Sequence, residues 1–527
     1  MNIGSAAATL PRRTANYKPN IWNYDHLHSL TTKYHEELEE HLREAETLKD
    51  QVCSEFGVLK DPLQKLELID WIDKLALSHY FEEEISKSVK EMAYAHSTSL
   101  SMDAHLYSAA LYFRILRQHG YHVSQDGILE LLDGEEKLVA QWDDEKARVE
   151  IFEASHLGVE GECTFDQKLN DDVGKNKYSC HRNVRWFNVR RYMHEINNKS
   201  VIHRLAGLSF NTIQVQHQND LKDILRWWRN LGLLEVLTFS RDRVVESFLW
   251  AVGVAYEPQH GSLRKWLTKA ILLVLIIDDV YDIYGSMDEL EQFTTAVERW
   301  DPSEIEQLPE AIKRCFWMLY DTANDIDREI QKEKGWTSVL PHLKKVWIGF
   351  CKALLVEAKW YWMGESPSLV KYLENGWISS SGPVLSLHVL LGVGRGMDEA
   401  VAAFDTNQDI IHHASLIIRL CNDQGTSKAE VERGDSPSSI LCHMREANVR
   451  EEEARAHIGK LISDSWMRMN GALMRCPRPQ QSMMRYIVNT ARVANFIYQN
   501  GDGFGVQDRD TKNQVLSCLI KPLHLSQ

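Results

Sequence analysis

The sequence predicts an all-α protein with two domains, and three observations support this. The chain has 527 residues, which is more than one ordinary hydrophobic core accommodates. Apolar residues recur at helical spacing in nearly every long segment, as in residues 106–116 and 221–228. The sequence shows neither convincing period-two alternation nor a short fixed repeat, which argues against sheets and against a solenoid.

Composition and charge exclude several classes of partner. Apolar residues make up 44% of the chain and charged residues 26%, an ordinary balance for a globular protein. The formal net charge of -15 argues against nucleic acid or an anionic membrane as the main partner. The longest uninterrupted apolar run, residues 270–277, is too short to cross a bilayer. An anionic substrate would therefore need metal cations or clustered arginines to offset the negative electrostatic field of the protein.

The cysteines and the first eleven residues indicate the cellular compartment in which the protein acts. The nine cysteines form no CxxC pair, and their odd number favours a reducing compartment over a disulfide framework. The first eleven residues contain no apolar signal core and are too short for a full organelle transit peptide. We therefore expect a cytosolic protein or one supplied without its leader.

Helical periodicity is interrupted in two places. Residues 163–200 are polar and weakly periodic, which predicts a loop with a short helix close to a domain junction. Residues 501–512 are rich in glycine and aspartate, which predicts a mobile loop before a last short helix at residues 515–520.

An apolar helix that ends in aspartates is the first feature that carries chemistry. Asp278 and Asp282 are four residues apart and share one helical face, whereas Asp279 lies about 100° round the helix. Grouped carboxylates repel one another, and a hard cation such as Mg²⁺ would offset that repulsion, because it takes oxygen ligands from carboxylates and substrate phosphates. The alternative is a solvated acidic helix end, and this motif alone does not decide between the two.

A polar helix face is the second feature. Asn422, Thr426 and Glu430 follow at intervals of four residues and form one stripe, with Arg419 one turn earlier on roughly the same side. Such oxygen donors suit Mg²⁺ or Mn²⁺ and are poor ligands for soft metals. Taken alone, the pattern is equally typical of an ordinary polar face.

Two arginines form the third feature. Arg241 and Arg243 flank Asp242, about one helix before the aspartates, and forked guanidiniums grip phosphate oxygens well. Such a triplet is more often a surface ion-pair network.

In combination, these features resemble the plant class I terpene synthases. Residues 278–282 match the family's DDxxD motif, residues 422–430 match (N/D)Dxx(S/T)xxxE, Arg241 and Arg243 match RxR, and Arg12, Arg13 and Trp22 match RR(x)8W. Further similar stretches cover almost the whole chain. The N-terminal half contains no DxDD, so protonation-initiated class II chemistry is not expected. Only one DDxxD occurs, so chain elongation by a prenyltransferase is not expected either.

The resemblance implies two all-α domains, of which the C-terminal one holds the active site. We expect an N-terminal tail at residues 1–11, a non-catalytic α-barrel domain at residues 12–206 that helps to cover the site, and a class I terpenoid synthase helical bundle at residues 207–527. Between residues 162 and 185 the chain is shorter than the family pattern, which bears on the packing of the N-terminal domain.

The resemblance also assigns roles in the active site. Three Mg²⁺ ions, for which Mn²⁺ is a possible substitute, would bind the substrate diphosphate and five metal ligands: Asp278, Asp282, Asn422, Thr426 and Glu430. Arg241, Arg243 and Arg419 would grip the diphosphate. Asp279 would serve the substrate site, most simply by supporting the ligands through a hydrogen bond or an arginine contact.

Other residues would shape the cavity around the carbocation. Trp250 and Tyr498 are the aromatic candidates, because ring faces attract cations, although plain core packing explains them equally well. The run Ser379, Ser380, Ser381, Gly382 and Pro383 should break a helix, and Ser379, Ser380 and Gly382 would face the substrate. Arg12 and Arg13 would lie over the cavity mouth and exclude water on closure.

The leading interpretation is a monoterpene synthase that converts geranyl diphosphate into a cyclic or acyclic monoterpene, either a hydrocarbon or an oxygenated product, with release or recapture of diphosphate. The alternative within the family is a sesquiterpene synthase that uses farnesyl diphosphate, and the alternative from another class is a non-catalytic helical protein that binds prenyl diphosphates. The protein would be a monomer or homodimer without a membrane span. It would act in the plastid stroma if a transit peptide is absent from this sequence, and otherwise in the cytoplasm. Two positions depart from the family pattern, namely Ser438, often lysine, and Phe504, often tyrosine.

Overall fold

The structure, a computed structural model, describes residue 15 and residues 17–95, 105–133, 145–162, 179–196, 200–233, 236–433 and 438–525. Within these ranges the chain forms helices and connecting turns and contains no β-strand, which confirms the predicted all-α class.

Nine α-helices lie in the N-terminal part of the described chain. They are α1 (Tyr24–His28), α2 (Lys33–Glu36), α3 (Leu38–Val58), α4 (Pro62–Lys74), α5 (Glu82–Ala95), α6 (Leu106–Gln118), α7 (Asp126–Asp133), α8 (Glu145–Ser155) and α9 (Arg185–Glu195). Helices α6, α7 and α8 enclose a small apolar core of their own, which includes Phe113 and Ile151.

The C-terminal part contains the longer helices. They are α10 (Val201–Leu231), α11 (Val244–Val254), α12 (Gly261–Asp279), α13 (Met287–Arg299), α14 (Glu310–Lys334), α15 (Leu340–Met363), α16 (Leu369–Ser379), α17 (Gly382–Val393), α18 (Met397–Thr406), α19 (Gln408–Arg433), α20 (Ser439–Ala447), α21 (Glu451–Arg475), α22 (Arg478–Tyr498) and α23 (Arg509–Val515). Helix α11 packs on α12, α12 on α17, α17 on α19, α19 on α22 and α22 on α11, so these five helices form a closed ring.

Helix α10 connects the two predicted domains. Ser200 caps its first turn by accepting a hydrogen bond from the His203 N–H, and Gly232 ends it with a φ of 60°. The helix packs against both α3 and α12, and one apolar core extends from Leu27 to Leu523. The predicted boundary between residues 206 and 207 falls within the first two turns of α10, and the domain limits stay a prediction.

The last part of the chain differs from its predicted outline. The irregular segment ends at residue 508, because the Asp508 side chain accepts from the Thr511 N–H and starts α23 at Arg509. A π-helical turn at Leu516–Ile520 follows α23 directly. The predicted loop at residues 501–512 is therefore four residues too long at its C-terminal end.

One described segment, Leu369–Val393, is long and apolar enough to be a candidate membrane span. Its most apolar window is 67% buried against the rest of the protein, and the chain changes direction within it at Ser381, whose φ is 65°. The segment therefore serves as helices α16 and α17 of the bundle.

Candidate active site

The five predicted metal ligands line one cavity. Asp278 lies in the last turn of α12 and Asp282 in the π-helical turn that follows it, whereas Asn422, Thr426 and Glu430 lie on α19. The cavity has a volume of about 1160 Å³ when the space open to solvent is included. The ring of α11, α12, α17, α19 and α22 thus brings together two oxygen-rich motifs that are far apart in the sequence.

A π-helical turn shapes the end of the aspartate helix. The apolar residues of α12 are almost all buried, which fixes the direction of the helix and places its last turn at the cavity. The turn at Val280–Tyr284 then carries Asp282, and the Gly285 N–H donates to the Val280 carbonyl at 2.8 Å. The angular offset between the Asp278 and Asp282 side chains therefore differs from the purely α-helical offset that the four-residue spacing predicts. Single π turns of this kind are frequent at functional sites.

Asp279 positions Arg241. Its carboxylate is 1% exposed and accepts from Ser240 Oγ at 2.9 Å, from the Arg241 N–H at 3.1 Å and from the Tyr17 hydroxyl at 3.0 Å. Nη2 of Arg241 lies 2.9 Å from Asp279 Oδ1 and 2.9 Å from Asp278 Oδ2. Asp279 makes the arginine contact that the sequence predicts, but its side chain does not line the cavity.

Asp278 is held in a partly dehydrated site. Burial raises the pKa of its carboxyl to about 6, Arg241 acts in the opposite direction, and Asp279 adds to the increase. A metal ion binds the ionised carboxylate, so cation binding displaces a proton wherever the carboxyl is protonated. Among the described residues, no three carboxylate, imidazole or thiol groups converge on one ion position. Coordination here must therefore include other oxygens, which suits Mg²⁺ because it commonly binds substrate phosphates.

The opposite wall is organised around Thr426. Its hydroxyl lies 2.9 Å from the Asn422 carbonyl and 2.6 Å from Glu430 Oε1, so the three predicted ligands form one connected stripe. The neighbouring Asp423 is buried and accepts from the Tyr372 hydroxyl at 3.0 Å and from a backbone N–H of α20 at 2.9 Å. Asp423 therefore ties α19 to α16 and α20, while its neighbours in the motif face the cavity.

Arg419 is fixed by a second carboxylate. Its Nη2 lies 2.9 Å from Ser379 Oγ and 3.6 Å from Glu357 Oε1, and the Ser379 hydroxyl in turn donates to Glu357. Glu357 is buried and also accepts from Asn375 Nδ2 at 3.2 Å. These contacts connect a predicted diphosphate ligand to the break between α16 and α17.

Three aromatic rings form part of the cavity wall. The Trp250 ring centroid lies 6.3 Å from that of Tyr498 and 5.6 Å from that of Phe504, and all three residues line the cavity. Ring faces of this kind stabilise a nearby cation. Phe504 cannot donate a hydrogen bond, so in this position it contributes only its ring.

Two chain segments cover the cavity. The N-terminal segment (residues 17–24) contributes Tyr17 to its lining, and the C-terminal loop (residues 501–508) contributes Asp502 and Phe504. The Tyr24 hydroxyl donates to Asp242 at 2.6 Å, which holds the N-terminal segment beside the arginine triplet.

Comparison with known proteins identifies the family. Residues 229–468 match the family model described as the metal binding domain of the terpene synthase family, and residues 21–170 match the terpene synthase N-terminal domain. An alpha-farnesene synthase of Ricinus communis is 45% identical over 98% of this chain and 96% of its own length. An (E,E)-alpha-farnesene synthase of Malus domestica is 45% identical over 97% of this chain and 94% of its own length. A chloroplastic myrcene synthase of Quercus ilex is 38% identical over 100% of this chain and 92% of its own length.

The chain belongs to the terpene synthase family.

Solved structures agree with this assignment. A limonene synthase in complex with 2-fluorolinalyl diphosphate is 32% identical, has a TM-score of 0.89 and is matched over 98% of this chain and 100% of its own. An isoprene synthase from grey poplar leaves, in complex with three Mg²⁺ ions and dimethylallyl-S-thiolodiphosphate, is 34% identical, has a TM-score of 0.82 and is matched over 96% and 99%. The present protein is thus a class I plant terpene synthase, a lyase that depends on a divalent metal.

The structure does not bring every predicted residue of this terpene synthase to the cavity. Arg243 is 1% exposed, and its guanidinium donates to the carbonyls of Phe504 at 2.6 Å and Gly505 at 3.3 Å. The backbone at Arg243 is not helical, with φ of -133° and ψ of 42°, so its side chain does not follow that of Arg241. Arg243 therefore does not line the cavity and instead holds the C-terminal loop, and its role as a diphosphate ligand stays a prediction.

Gly382 also lies outside the cavity wall. A Cβ atom at this position would lie 1.9 Å from Ser415 Oγ, so the glycine allows α17 to approach α19 closely. The break in the helix falls where the sequence predicts it, and Ser379, Ser380 and Ser381 line the cavity. Arg12 and Arg13, predicted to cover the mouth, lie outside the described residues.

Several residues that line the cavity were not predicted from the sequence. The additional polar ones are Tyr17, Glu357, Tyr372, Ser381, Ser438 and Asp502. Glu357 lies on α15, and nothing in the spacing of the sequence connects it with Arg419. Ser438, which replaces a common lysine of the family, lines the cavity and caps α20 by accepting from the Leu441 N–H.

Proposed function

We propose that this terpene synthase ionises farnesyl diphosphate and releases an acyclic sesquiterpene hydrocarbon. The observation that carries the reaction type is the shared cavity, where Asp278 and Asp282 face Asn422, Thr426 and Glu430 across a space that the aromatic rings also line. The observation that supports the substrate is the pair of farnesene synthases at 45% identity, compared with 37–39% for the monoterpene synthases and related plant enzymes among the relatives. The relatives therefore favour farnesyl diphosphate over geranyl diphosphate, which the sequence analysis placed first.

The chain's own residues would hold the diphosphate and leave the hydrocarbon in an apolar space. Arg241 and Arg419, fixed by Asp279 and Glu357, would donate to diphosphate oxygens, and the five oxygen ligands would hold three Mg²⁺ ions. Bound Mg²⁺ would stabilise the negative charge that develops on the departing diphosphate. The carbon–oxygen bond would break with both electrons going to oxygen, and the allylic cation would lose a proton to the released diphosphate, which forms a new double bond conjugated with the first.

Compartment is part of the same proposal. The name of the myrcene synthase includes the word chloroplastic, whereas those of the two farnesene synthases do not. Farnesyl diphosphate as substrate therefore fits the cytoplasmic alternative better than the plastid one.

Competition between the two prenyl diphosphates tests the proposal. The purified protein receives equimolar geranyl and farnesyl diphosphates with Mg²⁺, and volatile products are identified by gas chromatography and mass spectrometry. We expect sesquiterpene to dominate, with a kcat/KM for farnesyl diphosphate at least about 10-fold higher, since a tenfold ratio needs only about 1.4 kcal/mol of differential transition-state binding. Chelation with EDTA should abolish turnover, and added Mg²⁺ should restore it.

Two results would contradict the proposal in different ways. A preference for geranyl diphosphate would restore the monoterpene interpretation. If neither substrate is turned over by folded, Mg²⁺-loaded protein, the alternative of a non-catalytic binding protein stands. Calorimetric titration with a non-hydrolysable thiolodiphosphate analogue would then measure binding directly.

A further inference from the structure

The N-terminal segment and the C-terminal loop meet at one carboxylate, Glu246, in the first turn of α11. Trp22 Nε1 donates to Glu246 Oε1 at 2.8 Å, and Gln507 Nε2 donates to the same oxygen at 2.7 Å. Two further hydrogen bonds join the segments directly, from the Ile21 N–H to Gln507 Oε1 at 3.1 Å and from Gln507 Nε2 to Asn20 Oδ1 at 3.2 Å. One acceptor on the bundle thus connects both segments that cover the cavity.

Packing alone does not explain a glutamate at this position. Glu246 has no exposed surface, and its Oε2 has no hydrogen-bond partner among the described residues. Burial raises the pKa of the carboxyl, while the bonds from Trp22 and Gln507 act in the opposite direction. A buried polar group that is only half satisfied is costly, and leucine or methionine would fill the space with less penalty. The two side-chain hydrogen bonds at Oε1 make direct use of its polarity.

Arg243 reinforces the same junction. Its guanidinium donates to the Phe504 carbonyl in the C-terminal loop at 2.6 Å and reaches the Lys18 carbonyl in the N-terminal segment at 3.4 Å. Tyr17 and Phe504 line the cavity, so the two segments share one attachment and contribute to the wall of the same cavity.

We propose that Glu246 is a positioning residue that makes the N-terminal segment and the C-terminal loop close as one unit and keeps water out of the cavity. The coupling of the two segments is a property of the free protein. Only its consequence, the exclusion of water, rests on the proposed terpene synthase reaction. Water that enters an open cavity adds its oxygen to the allylic cation and loses a proton to the released diphosphate, which gives an alcohol instead of the hydrocarbon.

Hydrogen exchange of the free protein tests the coupling. Trp22→Phe removes the donor of the N-terminal segment to Glu246 and leaves the C-terminal loop chemically intact. We expect amide exchange to become about 10-fold faster in residues 17–24 and also in residues 501–508, because loss of a hydrogen bond to a charged acceptor weakens closure by that order. Tyr24→Phe removes a hydrogen bond of the same segment to Asp242 and keeps both donors to Glu246, so it should also loosen both segments if they close as one unit. Faster exchange in the N-terminal segment only, for both variants, would overturn the coupling.

Product analysis tests the exclusion of water. Glu246→Leu should increase the alcohol share of the products several-fold and lower kcat, with little change in KM. Glu246→Gln keeps an acceptor oxygen for both donors and should retain the wild-type product ratio. Equal damage by both substitutions, or an unchanged alcohol share in Glu246→Leu, would refute a positioning role. If Glu246→Leu does not fold, Gln507→Leu serves the same purpose, because it removes the second donor from a partly exposed position and should raise the alcohol share likewise.

These outcomes separate the inference from the proposed function. Exchange is measured without substrate, so coupled loosening supports the junction even if geranyl diphosphate is the preferred substrate. Conversely, a farnesyl-specific enzyme with independently moving segments would leave the proposed function intact and remove the role of Glu246.

Discussion

Tyr17→Phe removes a single hydroxyl that connects the N-terminal segment with the aspartate motif. That hydroxyl donates to Asp279 Oδ1 at 3.0 Å, and the carboxylate is 1% exposed. A hydrogen bond to a charged group contributes roughly 1.5–3 kcal/mol, because a buried carboxylate that loses a donor is not rescued by water. The Arg241 guanidinium also lies 5.0 Å from the centre of the Tyr17 ring, and phenylalanine keeps this contact. The substitution therefore isolates the hydroxyl.

The loss should appear in catalysis, because Asp279 holds Arg241 and Arg241 contacts Asp278. We expect kcat/KM to fall about 10- to 100-fold, the range that corresponds to this energy. Steady-state release of diphosphate from farnesyl diphosphate at saturating Mg²⁺ is the assay, and thermal unfolding monitored by circular dichroism checks the fold. Tyr24→Phe, which removes a donor to Asp242 outside the metal motif, should cost far less activity. Unchanged kcat/KM in Tyr17→Phe, or equal losses in the two variants, would refute the reasoning.

The remaining predictions concern stability. Gly382→Ala should destabilise the fold by about 1–3 kcal/mol, because the added methyl group overpacks against Ser415, and adding Ser415→Gly to this variant should recover part of the loss. Gly349→Ala is the control and should be neutral or stabilising, because a Cβ atom at this position meets open space. Denaturant unfolding of the three variants measures the differences. Burial lowers the pKa of His388 to about 4, so its neutral form is favoured in the folded state, and stability is lost as pH falls below its unfolded value of about 6.5. Between pH 7 and pH 5 this loss amounts to about 2 kcal/mol, and His388→Leu should reduce the pH dependence of unfolding by that amount; an unchanged slope would show that this histidine is not held neutral.

The features that follow from spacing along one helix could be predicted from the sequence. The stripe of Asn422, Thr426 and Glu430 needs only the helical repeat, and the structure places all three on one cavity wall. The apolar run before Asp278 likewise predicts a buried helix that delivers a carboxylate at its end. The π turn that carries Asp282 has no comparable signature, because it depends on how the end of α12 packs against the bundle.

Features that depend on irregular backbone or on tertiary contacts could not be predicted in the same way. Arg241 and Arg243 are identical in residue type and only two positions apart, yet one lines the cavity and the other binds loop carbonyls, because the backbone between them is not helical. Glu357 and Tyr17 reach the site from distant parts of the chain, and no local period connects them with their partners. The sequence identifies these residues by type only, and their roles in the site follow from how the distant parts of the chain pack together.

The charge balance of the site explains why metal ions are needed despite two partly buried arginines. Arg241 lies 2.9 Å from both Asp278 and Asp279, and Arg419 lies 3.6 Å from Glu357. Each guanidinium is therefore already neutralised by a carboxylate of the protein, and the chain as a whole carries a net charge of -15. Such pairing orients the arginine donors but leaves almost no net positive charge for a diphosphate. Because the bond can break only if the negative charge that develops on the leaving group is stabilised, the positive charge must come from the divalent cations, while the protein contributes their oxygen ligands and the geometry.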